Sequence, residues 1–471
     1  MNYSNLLKRS FLIAMLASAA TACQEDVNIG NVQAPDVTGS GDAMLYVVDA
    51  NGSTGHSNLE FRNSADIDFY VNTTAANQAS ENVTFIYDPS VLEQYNKANN
   101  TEFEAVPASM VTLSNGGSAT LAAGETQSAP VTLTLTSDGS LDAETTYAVP
   151  LRVSSTGNLA LMSQNRIVFV KDLTSIPDCH KTWTDENGEV HEGVKIFSCM
   201  EVNDTNPLNN LCYKLKSSGK YLIDALIIFS GNINYNAETG RVYFFANPNV
   251  QHLLDNREKY LKPLQDRGIK IIMGLLGNHD RAGLDNLNDE SAKLFAQEIK
   301  AICDAYQLDG VMYDDEYTSY MTPAPPGFVD QGRAAASRLA YEVWKLQPNR
   351  WNVVYKLGSF TQLSEVDGVQ PGTYISYAVH DYGRGTDMSS AYEGLPRSNM
   401  GLYSQEFNLE RFADLSDLQI IRKNGYGAHM VFAMDPTRAN RTKQERALQR
   451  CASAFYDDEL VVETPYYSKD W

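Results

Sequence analysis

The run Leu308-Asp309-Gly310-Val311-Met312-Tyr313-Asp314-Asp315-Glu316-Tyr317 constrains this chain more than any other. Its first part is apolar and β-prone and reads as a core strand. Its second part sets three carboxylates in succession. Charges of that density are too costly to bury in a core, so the strand must end at a solvent-filled mouth. On an extended strand alternate residues share a side. Asp314 and Glu316 are therefore expected to face one way and Asp315 the other. Two close carboxylates separate into a proton donor and a charged partner, because like charges push their pKa values apart. Chemistry of that kind breaks glycosidic bonds.

The surroundings of that strand repeat its type. From residue 194 to 471, candidate strands alternate with mostly helical stretches: Val194–Val202, Ile223–Ser230, Ile269–Leu276, Gly310–Tyr313, Trp351–Tyr355, Thr373–Ala378, Gly401–Ser404 and Gly427–Ala433. Ala292, Phe295, Ile299, Ile302, Cys303 and Tyr306 recur at helical spacing, with Asp289 as an expected cap. Ala447, Leu448, Cys451 and Phe455 do the same. Eight strands alternating with helices over about 280 residues predict a (β/α)8 TIM barrel. The runner-up is a doubly wound open sheet, but no GxGxxG or GxxxxGK[ST] loop supports it.

Residues 43–172 have a different texture. Short strands are expected at Met44–Val48, Ile67–Val71, Val83–Tyr87, Val131–Leu135, Tyr147–Val153 and Ile167–Val170, and only Pro89 to Asn99 reads as helix. Val131, Leu133 and Leu135 alternate with Thr132 and Thr134, the pattern of a half-buried strand. The expectation is an all-β, Ig-like sandwich with no catalytic cluster. Residues 173–193, with Pro177, Asp185, Asn187 and Gly188, read as a linker between the two domains.

Residues 1–22 read as a signal peptide. Lys8 and Arg9 precede an apolar run from Phe11 to Ala20, too short to span a bilayer. Thr21-Ala22-Cys23 resembles a bacterial lipobox, which implies lipid on Cys23, and Gln24-Glu25-Asp26 resembles the surface-export signal of Bacteroidota lipoproteins. The implied location is the outer membrane, facing the cell exterior. Residues 23–42 read as a tether. The formal net charge of −21 argues against a nucleic-acid partner. The other cysteines are widely spaced and lack CxxC pairs, so neither a zinc site nor a disulfide framework is expected. Cys303 and Cys451 read as core residues.

The strand-four motif resembles that of the glycoside hydrolase family 18 enzymes, D-G-x-D-x-D-x-E on the fourth barrel strand. Here the chain reads D-G-V-M-Y-D-D-E. Asp309, Gly310, Asp314 and Glu316 match, and Met312 replaces the first inner acid. That departure resembles the endo-β-N-acetylglucosaminidase branch more than the processive chitinases. The stretches Phe229–Tyr235, Gly274–Asp280 and Ser376–Tyr382 resemble the matching strand ends of endoglycosidases that cut the N-glycan chitobiose core. The resemblance implies Glu316 as general acid/base, Asp314 as the group that orients the substrate's acetamido group, and Tyr382 as its hydrogen-bond partner. It offers Asn232, Asn278, His279, His380 and Asp381 as substrate-binding residues. It implies a monomeric enzyme acting on N-glycans of glycoproteins, high-mannose ones in particular. Catalysis is expected to be substrate-assisted and retaining, without metal or organic cofactor. The alternatives are a chitinase and a chitinase-like surface lectin; such lectins typically lose the terminal Glu, which is present here as Glu316.

Overall fold

The structure is a computed structural model and describes residues 43–471. The expected signal peptide, Cys23 and the tether lie outside the described residues. Backbone contacts divide the chain into two compact units that meet between Ser175 and Ile176.

The first unit is a sandwich of two sheets over one core. One sheet contains Met44–Asp49, Ser64–Thr73 and Val131–Thr136, and the other contains Glu81–Tyr87, Tyr147–Ser155 and Asn165–Asp172. The alternation expected for Val131–Thr136 places Val131, Leu133 and Leu135 fully inside. Thr132 and Thr134 face the other way, and their hydroxyls donate to Asp68 at 2.7 Å and Asp66 at 2.6 Å on the neighbouring strand. Phe69 and Phe85 stack at 5.9 Å between the two sheets. The helix runs from Pro89 to Asn99 because Asp88 caps its start and Asn100 ends it in the left-handed conformation.

The second unit is built on eight parallel strands: β1 (Lys195–Glu201), β2 (Ala225–Asn236), β3 (Lys270–Leu276), β4 (Gly310–Asp314), β5 (Trp351–Tyr355), β6 (Tyr377–Val379), β7 (Gly401–Glu406) and β8 (Ala428–Phe432). They hydrogen-bond in the order β6-β5-β4-β3-β2-β1-β8-β7, and every one of these pairings is parallel. Single parallel bridges also join Ala378 to Met400 and Tyr382 to Ser404. Alternate side chains enter two different cores, as strands covered on both faces require. Cys199, Ile227, Ile272, Met312, Val353, Val379 and Met430 form one cluster. Met200, Ile228, Met273, Val311, Tyr313 and Val354 join the helices in the other. Gly310 admits no side chain, since a Cβ there would stand 2.0 Å from the Trp351 carbonyl oxygen on β5.

Several sequence expectations are corrected. Residues 176–193 are part of the second unit rather than a linker. Their polar turn Asp185–Gly188 reverses a hairpin between Thr182–Thr184 and Val190–Glu192. Lys181 is buried and pairs with Asp224 at 2.8 Å. β6 begins only at Tyr377, because Pro371 opens a short helical turn through Tyr374. The helix Asp289–Ala305 is capped by Asn288, one residue before Asp289, through a 2.9 Å bond from the Ser291 N–H. No α-helix separates β1 from β2 or β6 from β7. Cys303 and Cys451 are core residues as expected, and Cys179, Cys199 and Cys212 are likewise free and buried. No helix among the described residues is long and apolar enough to cross a membrane.

Candidate active site

The three carboxylates leave β4 at its carboxyl end, but the chain stays extended only to Asp314. The Glu316 N–H turns back to the Asp314 carbonyl at 3.1 Å, and Tyr317 takes a positive φ of 59°. The two outer acids still act on one another, and Asp315 has its own partners.

Asp314 is 4% exposed, and its Oδ1 has no hydrogen-bond partner among the described residues. Its carboxyl is pushed up to about 8, first by burial and then by the charges of Glu316, Asp315 and Asp381. Glu316 is exposed, and its carboxyl is raised by partial desolvation and by Asp381. Asp309, at the amino end of β4, serves the sheet instead. It accepts from Lys270 Nζ at 2.9 Å, from the Ile271 N–H at 2.9 Å and from Gln265 at 2.8 Å.

The loop after β6 supplies the residues facing this pair. Asp381 accepts from the Tyr355 hydroxyl at 2.5 Å and from the Tyr382 N–H at 2.6 Å. The Tyr382 ring lies between Tyr355 at 6.3 Å and Phe432 at 5.7 Å. Its hydroxyl is held protonated by burial, with Cys199 and Asp314 nearby. His380 is only 9% exposed and turns to its own loop, where its Nε2 lies 3.0 Å from the Thr386 carbonyl and 3.2 Å from the Thr386 nitrogen. Burial lowers its pKa and so favours the neutral ring. His380 and Asp381 thus have separate partners.

Asn232, in the carboxyl half of β2, donates to the Gly277 carbonyl at 3.1 Å. Asn278 donates to Asn234 at 3.0 Å and is exposed. His279 is exposed with a φ of 54°, and its N–H bonds the Tyr317 carbonyl at 2.6 Å. The loop after β3 is thereby tied to the segment that follows Glu316. Asp280 fixes it further by accepting from the Tyr235 N–H at 2.8 Å.

The structure adds residues that the sequence reading does not single out. Tyr355 ends β5, and a polar tip at a strand end was the one available signal. Asp285 and Ser359 meet Asp315 from two other loops, and nothing in their local sequence marks them. Among the described residues, Asp185, Glu189 and His191 have ligand atoms within 4.8 Å of one another, but they sit on the hairpin and include none of the residues above.

Comparison with known proteins identifies relatives of this chain. A family model for an N-terminal domain matches residues 41–159. Endo-β-N-acetylglucosaminidase F1 of Elizabethkingia meningoseptica is 53% identical over 288 residues, covering 60% of this chain and 84% of that protein. An endo-β-N-acetylglucosaminidase of a Flavobacterium species is 31% identical over 248 residues, covering 51% of this chain and 75% of that protein. EndoBT-3987 of Bacteroides thetaiotamicron, solved with a Man5GlcNAc product, is 32% identical with a TM-score of 0.57. That match covers 90% of this chain and 97% of the solved one. The same enzyme, solved with a Man9GlcNAc2Asn substrate, matches at 31% identity.

Proposed function

The chain belongs to the endo-β-N-acetylglucosaminidase family, and on that premise we propose that it hydrolyses the GlcNAc-β-1,4-GlcNAc bond of the chitobiose core in high-mannose N-glycans. The mannose-rich product and substrate held by EndoBT-3987 support the glycan class. The observation that carries the mechanism is the orphan Oδ1 of Asp314, a buried oxygen with a lone pair to offer and no donor among the described residues to meet it. A buried acceptor without a partner is costly, and the N–H of a substrate acetamido group would satisfy it.

The proposed steps follow from that contact. Asp314 orients the acetamido group so that its carbonyl oxygen attacks the anomeric carbon from within the substrate, a geometry favoured by proximity. The glycosidic C–O bond breaks as Glu316 gives its proton to the leaving oxygen. Burial and Asp381 favour the protonated form of Glu316 that this step needs. Tyr382, protonated, donates to the acetamido oxygen and stabilises charge there. Glu316, now ionised, takes a proton from water, which opens the oxazolinium ring with net retention. Substrate assistance of this kind is the known exception to the two-carboxylate scheme. Because the substrate supplies the nucleophile, the reaction needs no metal-activated water. Asn232, Asn278, His279, His380 and Asp381 are proposed to hold the glycan or the loops around it.

The glycoside hydrolase family 18 assignment rests on the Asp309–Glu316 motif, with Met312 as its departure. A (β/α)8 barrel is our reading of the second unit. It is supported by the unbroken parallel order of eight strands and by the bridges from Ala378 and Tyr382 to Met400 and Ser404. An Ig-like class is our reading of the first unit. A monomeric, lipid-anchored protein on the outer membrane surface is proposed from the sequence of residues 1–26 and from that family type. The deciding experiment is mass spectrometry of a high-mannose glycoprotein after treatment. One GlcNAc left on each Asn identifies the reaction; removal of both, or of none, refutes it.

A further inference from the structure

Asp315 is the middle acid of the motif, and the mechanism above gives it no role. It lies beside Asp285, and Ser359 binds both. The Ser359 N–H donates to Asp315 Oδ2 at 2.7 Å, and the Ser359 hydroxyl donates to Asp285 Oδ2 at 2.6 Å. Tyr320 donates its hydroxyl to Asp285 Oδ1 at 2.7 Å. Asp285 is 2% exposed, and Asp315 Oδ1 is buried without a donor among the described residues. Close approach here is enforced by Gly358, where a Cβ would stand 2.4 Å from Asp315 Oδ2 and φ is +54°. Three segments therefore converge on two carboxylates: the end of β4, the loop after β3 and the loop after β5.

Two buried carboxylates side by side cannot both ionise cheaply. The charged neighbours add to that cost. Those acting on Asp315 are Asp285 and Glu316, both acidic, with the Ser359 N–H as the opposing donor. Asp314 and Tyr320 also feel its charge. Burial and Asp285 push the Asp315 carboxyl up to about 7. A proton placed between the two residues would complete the bonding of the orphan Oδ1.

We propose that Asp285 and Asp315 share one proton and act together as a latch, positioning the Glu316 segment against the loops after β3 and β5. Neither residue touches substrate in this scheme; both are positioning residues. The latch rests on the reading of Glu316 as the acid, but its bonding does not. Loss of the shared proton sets two anions against each other, one of them the chain neighbour of Glu316 and under its charge. The folded state holds a proton that the unfolded chain releases at lower pH. The stabilisation is therefore fully present below the ordinary carboxylate range and is lost as pH rises through about 7.

The test is Asp285→Asn, whose amide donates to Asp315 without titrating, with Asp315→Asn as the second variant should the first fail to fold. Melting temperature is followed from pH 5.5 to 8.5 with no substrate present. Wild type is expected to lose stability across this range, and either variant should recover about 2–4 °C of that loss. The double variant should recover no more than the singles, since the pair is one unit. Because the substituted latch cannot open by losing its proton, any fall of kcat/KM that wild type owes to the latch near pH 7 should move upward in Asp285→Asn, to where Glu316 alone sets it. An unchanged melting profile overturns the shared proton. A changed profile with an unmoved limb overturns the positioning role. Melting needs no glycan, so failure of the latch is distinguishable from failure of the proposed activity.

Discussion

The Tyr355 hydroxyl donates to Asp381 Oδ1 at 2.5 Å, fixing that carboxylate where its charge acts on both Asp314 and Glu316. The bond joins the end of β5 to the loop after β6, so two strands set the protonation of a third. Removing the charge should ease the ionisation of Glu316. Asp381→Asn is therefore expected to shift the high-pH limb of kcat/KM downward, by up to about one pH unit. A limb that moves upward would contradict the sign of the coupling.

Glu316→Gln keeps the shape of the side chain and removes its proton. General acids typically contribute about 10²–10⁴-fold, and the glycosidase rate is expected to fall by that much or more. The side chain is exposed, so melting should change little. Turnover close to wild type would rule Glu316 out as the acid.

Asp314→Asn tests a different step. The proposal assigns Asp314 to forming the oxazolinium ring, not to protonating the leaving group. The variant should lose most hydrolysis of the intact glycan while still consuming a pre-formed sugar oxazoline. Equal losses with the two donors would remove the distinction between the acids.

Much of this site was legible because strand ends announce themselves. Asp314, Glu316, Asn232 and Asp381 all follow apolar runs, and a polar residue at such a boundary must face solvent or a partner. Their directions were harder to read. Period-two alternation stops at Asp314, because a turn at Glu316 replaces the extended backbone. His380 also resisted it, since its partner is Thr386 on its own loop. Asp285, Ser359 and Asp315 come from segments up to 74 residues apart and meet only through the parallel strand order. No local pattern encodes that meeting. Residues 176–193 misled for a related reason: polar turn residues suit a hairpin as well as a linker.

Lys181, within that segment, gives a test of its place in the fold. Its ammonium is buried and bonds Asp224 at 2.8 Å and the carbonyls of Cys179 at 2.8 Å and Tyr221 at 3.1 Å. Asp224 in turn accepts from the Ile196 N–H at the start of β1 at 2.7 Å. Breaking a buried pair by removing one partner costs about 3–5 kcal/mol. Lys181→Met should lower the melting temperature of the second unit by several degrees. A chain beginning at Ile176 should fold and retain activity, whereas one beginning at Val194 should not. Equal stability of the two truncations would restore the linker reading.

The proposed anchor is tested at Cys23. The apolar run from Phe11 to Ala20 is too short to hold a protein across a bilayer, and it would be removed with the signal peptide. Attachment of the mature chain then depends on lipid carried by Cys23. Each buried CH₂ contributes about 0.8 kcal/mol, so one acyl chain binds reversibly and several bind stably. The rest of the chain offers little help, because the sequence as a whole carries a formal net charge of −21, which repels an anionic surface. Cys23→Ala should therefore release the protein from the membrane fraction, with glycosidase activity following it into the soluble fraction. Protein that stays on the membrane after a high-salt wash would show that lipid on Cys23 is not what holds it there.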